Sequence, residues 1–277
     1  RGQPIAANVV ADSLPLALLT AGGQQVADGA GVVVGQLDLG GSVDDPQLSG
    51  FATIIDGAVT APQLGRRFDR IAGHVILDEQ QVLVDSLVVW SGGRGEVNGS
   101  VRVTDLQRPE LYLRGSFDGL HVIDNDQIAD LTMSGSVRLD GVMPQPVLSG
   151  SVRLQGGAIY IPSMNEQVPL EITDVEVGQV GADTAVAAVV GPSVLEQMRI
   201  NNLEVVVDEG VWLESDEANV QIQGELVVIR NGPAMQLYGT LQAMRGTYNL
   251  TIGPIVRDFE VVSGSVRFLG TPDFNPE

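Results

Sequence analysis

One short phrase constrains this chain more than any other feature: Gly-Ser-Val-Arg followed by an apolar residue. It occurs at Gly99–Val103, Gly135–Leu139, Gly150–Leu154 and Gly264–Phe268. In a strand, successive side chains point to opposite faces. Each phrase therefore sends Gly, Val and a larger apolar residue to one face, and Ser and Arg to the other. A chain that reuses such a strand must find cover for one apolar face many times over.

The phrase belongs to a longer repeat. Gly35-Gln-Leu-Asp-Leu…Pro46-Gln-Leu-Ser-Gly50 parallels Gly135-Ser-Val-Arg-Leu…Pro146-Val-Leu-Ser-Gly150, with 15 residues from Gly to Gly in both. Another Gly follows seven residues later, at Gly57 and Gly157. A third copy runs from Gly224 to Gly239 and on to Gly246, and a partial fourth from Gly99 to Gly115. Repeats of this kind indicate an array of equivalent supersecondary units. Alternating runs fill the intervals: Val75–Leu77, Val82–Val84, Leu87–Trp90, Leu203–Val207 and Val211–Leu213. Asp78–Gln81 and Asp208–Gly210 read as hairpin turns. At a typical strand length of about 5–6 residues, the pattern predicts roughly sixteen to twenty strands. Asp126–Leu131 and Pro192–Met198 are the short stretches with helical character. Ser13–Thr20 reads as a short helix or an apolar loop covering one end of the sheet. No linker marks a domain boundary, so residues 1–277 form one elongated unit, with repeats over 35–277 and an irregular end over 1–34.

Composition narrows the function classes. Apolar residues make up 44% of the chain but aromatics only 4%, thin material for a compact core. Net charge is -20, and all fifteen basic residues are arginines. Such a field argues against nucleic acid and anionic membrane surfaces as direct partners. No apolar run approaches the ~18–20 residues of a membrane span, and no signal peptide is visible at Arg1, so the chain reads as part of a longer protein. Without lysine there is no phosphate-loop or Schiff-base lysine; without cysteine there is no thiol nucleophile or thiolate zinc site. His74 and His121 stand alone in sequence, which disfavours a multi-histidine metal centre. Asp124–Asp126 lacks the central Gly and distal Glu of a calcium loop and reads as a solvated turn. Gly92–Gly95 opens no helix and reads as a plain turn. Trp90 and Trp212 fit either an interface or a core. The reading is of a non-enzyme without cofactor or metal.

The apolar faces have three solutions: a sandwich or barrel, a solenoid with an internal core, or a trough whose apolar floor receives a guest. Periodicity leaves these open. The C-terminal stretch adds a resemblance. Leu237-Tyr-Gly-Thr-Leu-Gln-Ala-Met-Arg-Gly246-Thr-Tyr248 is followed by Phe259-Glu-Val-Val-Ser-Gly264-Ser-Val-Arg-Phe268-Leu-Gly270…Asn275-Pro276. It resembles the closing signature of the TamB C-terminal domain, within the AsmA-like group of bridge-type lipid carriers. The Pro46-x-Leu-Ser-Gly50 and Pro146-x-Leu-Ser-Gly150 units, and Val211-Trp-Leu213 followed by Gly224-Glu-Leu-Val-Val, resemble its upstream strands.

The resemblance implies an all-β, repetitive sheet curled into a U-shaped, taco-like apolar trough with few short helices. It implies the periplasm of a didermic bacterium, with an inner-membrane anchor on a segment not contained in this sequence. The expected role is a conduit for phospholipid, whose acyl chains lie on a floor of Leu37, Leu39, Val101, Val103, Val137, Leu139, Val152, Leu154, Leu226, Val228, Val266 and Phe268. The alternative carried by the same resemblance is an assembly factor for outer-membrane barrel proteins. It would act with a TamA- or BamA-like barrel partner by accepting a client strand at an open sheet edge.

Overall fold

A computed structural model describes residues 6–21, 26–42, 45–105, 108–161, 197–232, 234–252 and 255–271. The chain begins with β1 (Ala7–Pro15), a one-turn helix α1 (Leu16–Thr20), β2 (Ala27–Ser42) and β3 (Asp45–Ala61). A single 3-10 turn at Pro62–Leu64 leads to β4 (Arg66–Glu79), β5 (Gln81–Ser91), β6 (Gly93–Arg102) and β7 (Glu110–Asn125). Next come β8 (Ala129–Val142), β9 (Val147–Tyr160), β10 (Arg199–Glu214) and β11 (Ala218–Arg230). The chain closes with β12 (Met235–Ile252), β13 (Ile255–Val261) and β14 (Gly264–Leu269).

All fourteen strands lie in one sheet, β1 to β13 side by side in sequence order. β14 takes the remaining length of the edge of β12 that β13 occupies, so the two act as one interrupted strand. Neighbours are antiparallel except β9 and β10, which run parallel. The segment joining those two lies outside the described residues, as does most of Pro192–Met198. The sheet curls without closing, which makes the chain an all-β open trough. α1 packs on β2, where the Gly29 amide donates to Thr20 Oγ1 at 3.2 Å.

The spacing of 15 is the spacing of a hairpin. Gly135 pairs Val152, Ser136 pairs Ser151 and Val137 pairs Gly150, so two copies of the phrase face each other antiparallel. The third copy repeats this, with Gly224 opposite Leu241 and Leu226 opposite Gly239. Each glycine thus sits beside a large apolar residue on the partner strand. A Cβ built on Gly150 would lie 2.3 Å from the Ser136 carbonyl oxygen, and its φ of +135° is one that side chains with a Cβ rarely adopt. The phrase is therefore a close-approach device as well as an amphipathic strand.

Several local expectations are corrected. Fourteen strands lie among the described residues, most of them far longer than average; the expected sixteen to twenty included runs within 162–196, which lie outside the described residues. Val82–Val84 and Leu87–Trp90 are one strand, β5, with its register shifted between Val84 and Leu87. Asp208–Gly210 is no hairpin; it lies inside β10 at the shift between Val207 and Val211. Asp126–Leu131 is not helical. It forms the β7–β8 turn, held by Gln127 N–H to Asn125 Oδ1 at 2.9 Å, and the start of β8.

A candidate apolar trough

The apolar face is continuous across the sheet. One row of directly paired residues reads Leu14, Val33, Ile54, Gly73, Leu87, Val97, Gly115, Val137, Gly150, Leu203, Val228 and Leu237, from β1 to β12. Every member is apolar or glycine. A second row, from Val89 on β5 through Phe117, Val152, Val205 and Leu226 to Phe268 on β14, has the same character. The adjacent row on the other face reads Glu96, Ser116, Ser136, Ser151 and Glu204.

Register shifts lie within a few residues of the second row on most of the strands it crosses, and of its extension into β3 and β4. They fall at Ile54–Val59, Asp69–Ala72, Val84–Leu87, Phe117–Leu120, Thr132–Met133, Val207–Val211 and Gln221–Ile222. Bulges bend the strand that carries them. Aligned across a sheet, they bend it along one line, and this line is the crease of the trough. Burial follows it: Val211 is 0% exposed, Val207 4%, Ile222 5% and Leu154 8%. Ala58, Ile71, Leu120, Ala129 and Leu131 are buried in the same zone. No second layer covers this face among the described residues, so the curl itself provides the cover.

Away from the crease the walls are half-buried. Most of the expected floor residues lie there. Leu37, Leu39, Val101, Val137, Leu139, Leu226 and Val228 sit on the apolar face and are half-buried. Val103 lies just past β6, its amide bonded to the Gln80 carbonyl. Val152, at 9%, and Leu154 are deep in the crease cluster with Val207 and Val211. Val266 and Phe268 are on edge strand β14, the first exposed and the second half-buried. Several deeply buried positions, Leu120, Leu131, Val207, Val211 and Ile222, were not among the expected floor residues. They flank bulges, where strict alternation breaks and a two-residue pattern sees a turn.

The polar face carries the charges. Arg102–Glu110, Arg153–Asp208 and Arg94–Glu96 pair at 2.7–2.8 Å. His74 lies on this face, 3.0 Å from Thr53 Oγ1, and His121 meets Asp130 at 2.6 Å. Both tryptophans are on the polar face rather than in the trough. The Arg70 guanidinium stacks 4.4 Å from the Trp90 ring centre, and that of Arg245 5.7 Å from the Trp212 ring centre. At one rim the short β5–β6 hairpin leaves a notch, and its flanking strands close over it. Arg66 bonds Ser91 Oγ at 2.8 Å and Asp124 Oδ2 at 2.9 Å there. Asn125 Nδ2 reaches the Gln63 carbonyl at 3.4 Å. Asp124 is thus a clamp residue at a turn. Among the described residues no group of acidic or histidine side chains is arranged to hold a metal. No helix there is long and apolar enough to cross a membrane.

The chain is thus an open, single-layer β-trough with an apolar interior and a charged exterior. Residues 88–277 match the family model of the TamB C-terminal domain. The chain belongs to that family, a periplasmic, envelope-associated group of transport and assembly modules. No curated protein and no solved structure matches the sequence.

Proposed function

We propose that this chain is a section of a passive conduit for phospholipid between the inner and outer membranes of a didermic bacterium. The twelve-strand row from Leu14 to Leu237, open to a guest and free of any polar side chain, carries the reading. Acyl chains lie in the trough and head groups project from its mouth into the periplasm. Each sheltered methylene is worth about 0.8 kcal/mol. Adjacent strand positions in the row are chemically alike, so a chain slides from one to the next without a deep well. Thirteen strand places at ~4.8 Å give roughly 60 Å of trough, part of a longer bridge.

Native mass spectrometry of the purified chain, with lipid extraction, tests this reading. Phospholipid should co-purify, and Val137→Asp should abolish it while the circular dichroism spectrum keeps its strand signature. Val137 suits the test because it is half-buried on the wall. A folded, lipid-free wild-type chain overturns the proposal.

A second reading draws on the sheet's two open edges. Among the described residues β1 pairs only β2, and β13 and β14 pair only β12, which leaves edge donors and acceptors for an added strand. In this reading a client barrel strand, or a TamA- or BamA-like partner, docks there. Val137→Asp spares such docking, whereas proline substitutions in β14 abolish it. Photo-crosslinking from Val266 distinguishes the two.

A further inference from the structure

One stretch of the polar face is apolar. Phe51, Ile76, Leu83, Ser100 and Tyr112 pair in turn from β3 to β7. Along each strand they alternate with residues of the trough lining, so this row points away from the trough. Its four large members are 37–42% exposed, and all the described strands lie in the one sheet, so no second layer covers them. The neighbouring row on the same face holds a second departure. Arg114 on β7 and Arg138 on β8 are exposed and directly opposite each other, an arrangement of like charges that is destabilising in itself. Arg94, Arg102 and Arg153 on this face each hold a carboxylate at 2.7–2.8 Å. Arg114 and Arg138 have neither an ion pair nor a hydrogen bond among the described residues. In a chain with 35 acidic residues against 15 basic ones, two adjacent guanidiniums without a carboxylate are open to an anion from outside.

We propose that this outer surface docks an acidic, amphipathic segment of another protein, its apolar side on Phe51, Ile76 and Leu83 and its carboxylates over Arg114 and Arg138. Exposed apolar surface bordered by polar residues marks interaction sites, and a guanidinium fork matches a carboxylate in two parallel hydrogen bonds. From β3 to β8 the surface spans five strand spacings, roughly 24 Å, the length of a helix of about sixteen residues. Charge selects this occupant over others. A membrane is negative over its whole extent and would also meet Asp38, Asp78 and Glu110, which line the far side of the apolar row. A second copy brings a net charge of -20 against the same charge. A narrow segment can place its carboxylates over the arginine pair alone. The surface lies on the opposite side of the sheet from the trough, so it stands independently of the conduit reading.

The test is photo-crosslinking in the protein's own cells from position 98. Asn98 is exposed and directly paired with Arg114, so a probe there reads the surface without replacing a residue that forms it. The expected product is a protein adduct whose crosslinked peptide carries Asp or Glu among apolar residues. The double variant Arg114→Gln/Arg138→Gln should lower its yield about tenfold, the loss of charge-assisted contacts worth about 1.4 kcal/mol. Leu83→Ser should lower it as well, whereas Arg94→Gln, which removes a paired arginine from the same face, should change it less than twofold. Circular dichroism and phospholipid retention of each variant should match the wild type, because the trough lining is untouched. A lipid adduct, or a dimer of the chain itself, overturns the proposal in favour of that occupant. Absence of any adduct overturns the docking surface, and an adduct indifferent to the double variant overturns the role of the arginine pair. None of these results bears on the conduit, which stands or falls on phospholipid retention.

Discussion

Gly150→Ala isolates the device on which the repeat rests. The added Cβ would lie 2.3 Å from the Ser136 carbonyl oxygen and 2.8 Å from the Val137 Cα. Both are backbone atoms, so no side chain can swing aside. Strands β8 and β9 would have to part by about an ångström at the Val137 pair, an overpacking cost of about 1–3 kcal/mol. The φ of +135° adds strain of roughly 1–2 kcal/mol for a residue with a Cβ. Together these give about 3 kcal/mol, or roughly a hundredfold in a local opening equilibrium. A long repetitive sheet need not unfold in one step, so amide hydrogen exchange resolved along the chain is the suitable assay. Amides of β8 and β9 should exchange about a hundredfold faster, with β2 and β3 unaffected. Gly40→Ala is the control, since no atom lies within 4 Å of its built Cβ, and exchange there should change by less than threefold. If Gly150→Ala is as mild as Gly40→Ala, the glycines are not close-approach positions and the account of the 15-residue spacing fails.

Two further outcomes follow from burial. Val211 is 0% exposed at the crease, so Val211→Asp buries an unpaired carboxylate; it should cost more than about 4 kcal/mol and leave little folded protein, unlike Val137→Asp. Sedimentation and circular dichroism of the two variants side by side check the contrast. The Tyr160 phenol is raised above its ordinary value, first by burial and then by the nearby carboxylates of Glu214, Asp130, Asp126 and Asp124. A raised phenol favours the protonated form in the fold. Its contribution is therefore complete below the unfolded value near 10 and is lost as pH rises through the folded value. In an alkaline titration followed by phenolate absorbance, Tyr160→Phe should remove a component from the high-pH end of the curve and leave the rest in place.

The sequence carried much of this architecture because the repeat states it twice, in face and in register. Gly135-Ser-Val137 and Gly150-Ser-Val152 announce an amphipathic strand, and their separation already encodes the mutual pairing of Gly135 with Val152 and Val137 with Gly150. What alternation cannot encode is the crease. A bulge inserts a residue without interrupting the strand, so a period-two reading ends one run and begins another. That is why Val84 and Leu87 read as separate strands, and why Asp208–Gly210 read as a hairpin although β10 runs through it to Val211. The same error kept Leu120, Val207, Val211 and Ile222, all deeply buried, off the expected floor, while the apolar-face positions of Val101, Val137 and Leu139 were legible from the phrase alone. The parallel step from β9 to β10 was illegible for another reason: it depends on where a long connection returns, and no local pattern records that.

The bulge line and the glycine pairs bear together on transport. Glycine and large residues alternate across the row, as Val137, Gly150 and Leu203 do on three successive strands. The row therefore contains glycine, valine, leucine and isoleucine with no polar side chain, and that chemical evenness is what a sliding guest needs. On the conduit reading, a long acyl chain moved by one strand spacing exchanges contacts with Val and Leu for contacts with Val and Leu, and the burial of each methylene is retained throughout. Such a surface holds lipid against water but supplies no direction. On that reading direction comes from unequal lipid supply and demand at the two ends of the bridge, because a static surface lowers or raises the barrier equally both ways.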